Sequence, residues 1–285
     1  MNEADFISAL RHLPLHPGAR NLEDDCAVLE IGDETLILTH DAMAEGVHFR
    51  SEADMADVAW KLVATNLSDL AAKGAAPIGV LLGHTLGQHD ERFLHGLHEA
   101  LTQFGVSLLG GDTIAAEGPR SFGLTAIGRA THTPVPSRSS AQAGDAIYVT
   151  GPLGAAMLGF EGQATYLNAY NRPLPRLTEG RALAAHVNAM MDISDGLLLD
   201  AFRLAQASHV TLAIQSEHVP VADKTRRDDC LRWGDDYELL FTAPAAQALP
   251  IAATRIGTVE SKGFAPLILD DHPVVNSTGL GYQHR

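Results

Sequence analysis

Two aspartates three residues apart, Asp192 and Asp195 in MDISDGLLLD, close an apolar run and lead into Gly196. Others stand in similar places: Asp24 and Asp25 in LEDDCAVL, Asp41 in LTHDAMAEG and Asp112 in LLGGDT. Asp69, in NLSDLAAKG, sits among the apolar Leu67, Leu70 and Ala71. Taken singly, each is an ordinary helix cap or turn residue, roles in which Asp is favoured. As a set at apolar strand ends they can converge on one crevice, where unpaired carboxylates are unfavourable. Hard divalent cations relieve that repulsion. Mg2+ takes oxygen ligands, keeps some waters and is usually held by a few carboxylates together with substrate phosphates. The pattern therefore points to nucleotide chemistry in which bound metals reverse the local sign so that an anion can enter. Gly110 and Gly111, ahead of Asp112, would let backbone N–H groups approach phosphate oxygens, although a GG pair is more often just a turn.

The rest of the chain limits what that chemistry can be. Across 285 residues, 35 Asp and Glu outnumber 20 Lys and Arg, for a formal charge of −15. Such a surface repels nucleic acid and anionic membrane, so neither is expected as a partner. A composition 46% hydrophobic and 19% charged, with 26 Gly and 14 Pro, is that of a globular chain with many turns. The familiar nucleotide and metalloprotease signatures GxxxxGK[ST], GxGxxG and HExxH are absent. Cys26 and Cys230 are the only cysteines, with no second thiol nearby to complete a CxxC or zinc pattern, and a reduced, cytoplasmic pair is expected over a bridge between the two. The N-terminal segment lacks the features of a signal peptide, and no run of about 18 or more apolar residues suggests a membrane span.

The elements that must position these residues are short. CAVLEI, TLILTHD, IGVLLGHTLG, VSLLGGDT and FGLTAIGRA are predicted strands, brief, apolar and bounded by Gly or Asp. Two helices are expected among them. One runs from about Asp57, as N-cap, to Gly74 with Val58, Leu62, Leu67, Leu70 and Ala71 near one face; the other runs from Asp90 to Gly105 with Phe93, Leu97, Leu101 and Phe104 as its stripe. The Pro- and Ser-rich stretch at 131–145 is expected to link two halves, 1–136 and 137–285. Beyond it AIYVTG, VNAMMDIS, VTLAIQ, YELLFTAP, RIGTVE and PLILD are predicted strands, with helices at 176–186 and 197–208. The class is mixed α/β in two halves.

At this point the chain resembles the thiamine-monophosphate kinase family, within the aminoimidazole ribonucleotide synthetase-like superfamily. The matching segments run in the family's order through DDCAVL, THDAMAEGVHF, DVAWKLVATNLSDLAAKGAAP, LLGGDT, AGDAIYVTGPLGAA, RPLPRLTEGRAL, MDISDGLLLD and GDDYELLFTAP. NLSDLAA combined with GGDT and DISDGL is the specific part. The resemblance implies a two-domain fold whose N-terminal half pairs with a second copy around a shared β-barrel, giving a homodimer with ATP and several Mg2+ ions between halves and chains. It implies metal ligation by Asp24, Thr39, Asp41, Asp69, Asp112, Asp192 and Asp195. Gly111 and Ser194 would touch ATP, and Arg138 would reach its phosphates. Asp112, Arg138 and Asp195 would be the catalytic set, with His48, Asp235 and Tyr282 contacting thiamine monophosphate. The reaction implied is transfer of the ATP γ-phosphoryl group to thiamine monophosphate.

Three positions depart from the family pattern. Glu23 stands where Gly usually precedes the paired Asp, His40 where a Thr commonly precedes Asp41, and Asp235 where a Glu is usual. The second half is also trimmed around 215–235 and 245–255. The rival readings are a superfamily enzyme with another small phosphorylated acceptor, a nucleotide-binding homologue without turnover, and an acidic metal buffer.

Overall fold

A computed structural model describes residues 3–284. After a short helix α1 (Glu3–Leu10) the first half builds an open five-stranded sheet from β1 (Ala27–Ile31), β2 (Glu34–Ala44), β3 (Ala75–Thr85), β4 (Ser107–Ile114) and β5 (Ser121–Ala130), in the order β1-β2-β5-β3-β4. All neighbours are antiparallel except β3 and β4, whose parallel pairing is bridged by α3 (Asp90–Phe104). Within one chain this sheet has two edges, β1 and β4.

The helix that organises the molecule is α2 (Met55–Ala72). Its N-cap is Asp54, whose carboxylate accepts from Ala56 N–H at 2.9 Å. The expected cap, Asp57, instead lies in the first turn and pairs with Arg172 at 2.5 Å. Gly74, at φ +60°, lets the chain turn away beyond the other end. A single buried stripe was expected on α2; the helix is buried nearly all round, with Lys61, Thr65, Asn66, Ser68 and the terminal Lys73 enclosed beside its leucines. It is enclosed because the first sheet and α3 cover one part of it and elements of the second half cover the rest.

The second half contributes β6 (Asp145–Val149), α4 (Ala155–Phe160), α5 (Leu167–Asn171), α6 (Leu177–Leu183), β7 (Ala189–Asp192), α7 (Leu197–Ser208), β8 (Val210–Ile214), α8 (Arg227–Arg232), β9 (Leu239–Pro244), β10 (Thr254–Ser261), β11 (Leu267–Leu269) and β12 (His272–Val274). Its mixed sheet runs β12-β11-β8-β10-β6-β9-β7, so β7, carrying Asp192, is an edge strand against which α2 packs. Both expected helices of this half form, as α6 and α7. The small α4, α5 and α8 had no periodicity long enough to announce them. No helix among the described residues is long and apolar enough to cross a membrane.

Candidate active site

The acids converge on α2. Asn66 Oδ1 accepts the backbone N–H of Asp41 at 2.9 Å, Ser68 Oγ donates to Asp192 Oδ2 at 2.7 Å, and Thr39 Oγ1 donates to Asp69 Oδ2. The NLSD tetrapeptide thereby holds β2 on one side and β7 on the other. One carboxylate oxygen each of Asp25, Asp69 and Asp192 lies within 4.8 Å of the others. Burial pushes Asp69 well above the usual carboxylate range, and Asp41, Asp192 and Asp25 push it further. Burial does the same to Asp192, reinforced by Asp25 and Asp200. Asp41 is raised by burial together with Asp195 and Asp25.

Asp24 and Asp25 divide differently from the expectation. Lys73 Nζ lies 2.5 Å from Asp24 Oδ1, and Arg20 Nη1 lies 2.5 Å from Asp24 Oδ2. Burial pushes the Asp24 carboxyl upward, yet these two cations hold it well below the usual carboxylate range. The resemblance implied metal ligation by Asp24; in the structure Asp24 pairs with two cations, and Asp25 lies among the clustered carboxylates. Arg138 Nε and Nη2 both donate to Asp25 Oδ1, the former at 2.8 Å. Asp25 Oδ2 is buried without a well-directed hydrogen bond among the described residues, although Lys73 Nζ is 2.6 Å away. The three N–H groups of the Lys73 ammonium face Asp24 Oδ1, Met190 O and Asp25 Oδ2, so this oxygen is ion-paired. Three clustered carboxylates, two of them with raised proton affinity, are all oxygen donors and suit a hard divalent cation.

The loop after β7 ties this end to a second cluster. Asp200, in the first turns of α7, accepts the backbone N–H groups of Ser194 and Asp195, both at 3.1 Å. Burial, with Asp195 beside it, pushes Asp200 up to about 7. The side chain of Asp195 pairs with Arg203. Gly196 has φ +111°, and a Cβ there would stand 2.5 Å from Arg232 O, so glycine is required where the chain enters α7. Outward from the loop, Ser194 O accepts Asp235 N–H and Asp195 O accepts Tyr282 N–H, both at 2.9 Å.

His48, Asp235 and Tyr282 are thus gathered at one end. The rings of His48 and His284 are 5.4 Å apart, and those of Tyr282 and His284 are 4.9 Å apart. His48 Nδ1 accepts Ala44 N–H at 3.0 Å, and burial together with the neighbouring His284 holds this imidazole below its ordinary range. Asp235 has φ +65°, accepts Lys61 Nζ on Oδ2 at 2.8 Å and accepts Tyr237 Oη on Oδ1 at 2.9 Å. His40, by contrast, turns to Thr125 on β5 at 2.9 Å.

Asp112 and Gly111 do not join either cluster within the chain. Asp41 pairs with Leu124, Leu124 with Leu82, and Leu82 with Gly111, so three strand spacings, about 14 Å, separate the two ends of that row. Every residue of β4 is exposed, where an apolar strand was expected to be covered, and among the described residues the only side-chain bond of Asp112 is to its neighbour Thr113 N–H. Gly111, at φ +151°, would bring a Cβ within 1.9 Å of Leu82 O, which explains the glycine by strand packing.

Residues 23–130 match the family described as AIR synthase related protein, N-terminal domain, and residues 142–265 match its C-terminal domain. The thiamine-monophosphate kinase of Escherichia coli K12 is 37% identical, over 92% of this chain and 90% of that protein. The chain belongs to the thiamine-monophosphate kinase family. The thiamine-monophosphate kinase structure from Stenotrophomonas maltophilia K279a is 32% identical, with a TM-score of 0.75 over 95% of this chain and 96% of that one. AaThiL complexed with AMPPCP and TMP superposes at a TM-score of 0.87 over 100% of this chain and 97% of that one, at 28% identity. Thiamine-monophosphate kinase membership carries with it the two-half mixed α/β fold built around α2.

The sequence placed both Asp24 and Asp25 in the acidic set, and the resemblance put only Asp24 among the ligands; Lys73, Arg20, Asp200 and Lys61 were missed. One signal was available for two of them: Lys61, Thr65, Asp69 and Lys73 recur every four residues and form a polar ridge along a helix otherwise read from its leucines.

Proposed function

We propose that this protein transfers the γ-phosphoryl group of ATP directly to the phosphate of thiamine monophosphate, giving thiamine diphosphate and ADP. The observation that carries the reading is the joining of two clusters through one loop. The Ser194 and Asp195 carbonyls hold Asp235 and Tyr282, while β7, immediately before that loop, ends on Asp192 in the carboxylate group. Two polyanions meeting in such a cleft need neutralised charge and fixed geometry more than they need a base, because the attacking phosphate oxygen is already anionic.

Mg2+ is the fitting metal. Asp25, Asp69 and Asp192 would hold it, with Asp41, Thr39 and Asp195 nearby, and the ion would supply charge neutralisation for the phosphates. Arg138, held on Asp25 at the margin of this group, offers a guanidinium to an incoming phosphate. Ser194 lies on the loop facing the nucleotide. His48 presents its Nε2 side, since Nδ1 is occupied by Ala44 N–H.

Gly111 and Asp112 enter this reading through a homodimer. The exposed edge strand β4 carries Leu108, Leu109 and Ile114 with half their surface open, the kind of edge that a second copy covers. A partner's β4 would bring Asp112 toward a site from which the chain's own β4 stands about 14 Å away. The reading divides the chain near residues 136 and 137, between the two family matches. It places the protein in the cytoplasm, supported by two free buried cysteines.

The test is phosphorus NMR or chromatography of the purified protein with ATP, Mg2+ and thiamine monophosphate, beside a reaction without acceptor. Acceptor-dependent thiamine diphosphate and ADP are expected. Nucleotide binding without that product would refute the acceptor assignment.

A further inference from the structure

The polar ridge of α2 has one cation at each end. Lys73 is occupied by Asp24 and Asp25. Lys61 lies twelve residues earlier, about 18 Å along the helix. It is buried, its ammonium donates to Asp235 Oδ2 at 2.8 Å, and it lies 3.9 Å from the centroid of the Tyr170 ring. A lysine enclosed in the protein interior is unfavourable unless its charge is engaged, and here a carboxylate and an aromatic face engage it.

The partner is the more exposed member of the pair. The Asp235 side chain is 31% exposed against 6% for Lys61, so the carboxylate turns its open side outward while Lys61 holds it from behind. Tyr237 Oη fixes the other oxygen at 2.9 Å, and the backbone N–H of Asp235 is anchored on Ser194 O. Asp235 sits in left-handed backbone, a conformation that a non-glycine residue keeps only when its surroundings determine it. Lys61, Tyr237 and Ser194 together provide that determination.

We propose that Lys61 is a positioning residue that fixes the Asp235 carboxylate for binding the cationic, nitrogen-rich part of the phosphate acceptor. The proposal rests on the kinase reading above and adds a residue to it. The shortened side chain at position 235 makes the buried lysine more important, because an Asp has less reach than a Glu with which to find the ligand unaided. Lys61 acts through Asp235 and does not meet the reacting phosphates, so its removal should weaken acceptor binding and leave nucleotide binding intact.

The experiment is steady-state kinetics of Lys61→Met and Lys61→Gln, alone and in an Asp235→Ala background, with thiamine monophosphate and ATP varied separately. Lys61→Met should raise KM for the acceptor by roughly tenfold or more, the usual size of a lost charge-assisted contact, with KM for ATP within about twofold. Lys61→Gln, which keeps a donor of similar reach, should fall between Met and wild type, and it serves if the Met variant does not fold. In the Asp235→Ala background Lys61→Met should add no further loss. Equal changes in both KM values, no change in either, or full additivity with Asp235→Ala would overturn the proposal. A wild type that turns over no thiamine monophosphate would instead overturn the kinase reading, and equilibrium binding of thiamine monophosphate would still compare Lys61 with its variants.

Discussion

Asp24 and Asp25 share Lys73 and differ in their other neighbours: Arg20 completes the pairing of Asp24 and Arg138 that of Asp25, and only Asp25 also lies among Asp69 and Asp192. One position thus separates a carboxylate outside the acidic group from one inside it, although both reach Lys73.

That separation predicts different losses. Asp24→Asn leaves Lys73, fully buried, with half of its ion pairing and should lower stability by about 3 kcal/mol, read by denaturant melts. Asp25→Asn also loses pairing with Lys73 and Arg138, but it relieves repulsion with Asp69, Asp192 and Asp41. Its stability loss should be smaller, while turnover falls about a hundredfold or more and the Mg2+-induced rise in Tm disappears. A retained Mg2+ shift in Asp25→Asn would remove this residue from the metal site.

Asp112 is predicted to act across the dimer. Asp112→Asn and Asp192→Asn should each cripple activity alone. If Asp112 serves the partner's site, random exchange makes half the dimers mixed, each with one intact site, and restores about a quarter of wild-type activity. If Asp112 serves its own chain, the mixture stays inactive.

Asp236 should make stability fall as pH rises. Burial pushes its carboxyl up to about 8, opposed by the Gly154 and Ala156 N–H groups at the start of α4. A folded pKa above the unfolded value means that the native state holds the extra proton between about pH 4 and 8, so ΔG of unfolding declines through that window and levels off above it. Asp236→Asn should flatten this decline and gain about 1 kcal/mol or more at pH 8 relative to pH 5. An unchanged slope in the variant would show that other groups set it.

Gly111→Ala tests packing apart from phosphate approach. With a Cβ within 1.9 Å of Leu82 O and φ at +151°, the substitution should destabilise the fold by about 2 to 4 kcal/mol without any ligand present. A normal melting temperature combined with weakened ATP binding would return this glycine to a purely ligand-facing role.

Local pattern determined a good part of this protein. Short apolar runs bounded by Gly and Asp marked most strands, α3 followed from Phe93 and Leu97 at helical spacing, and the ordered motifs pointed to a metal-dependent kinase. These features are set by a residue and its near neighbours, which is why one sequence suffices to see them. Only the tertiary structure decided which aspartate of the DD pair joins Asp69 and Asp192, that Lys61 reaches Asp235 across 174 positions, and that Asp112 stands on an open edge. Those outcomes depend on how β2, α2, β7 and the 194–196 loop pack together. Charge placement in a buried site is settled by partners brought from far along the chain, and their distances appear in no local pattern.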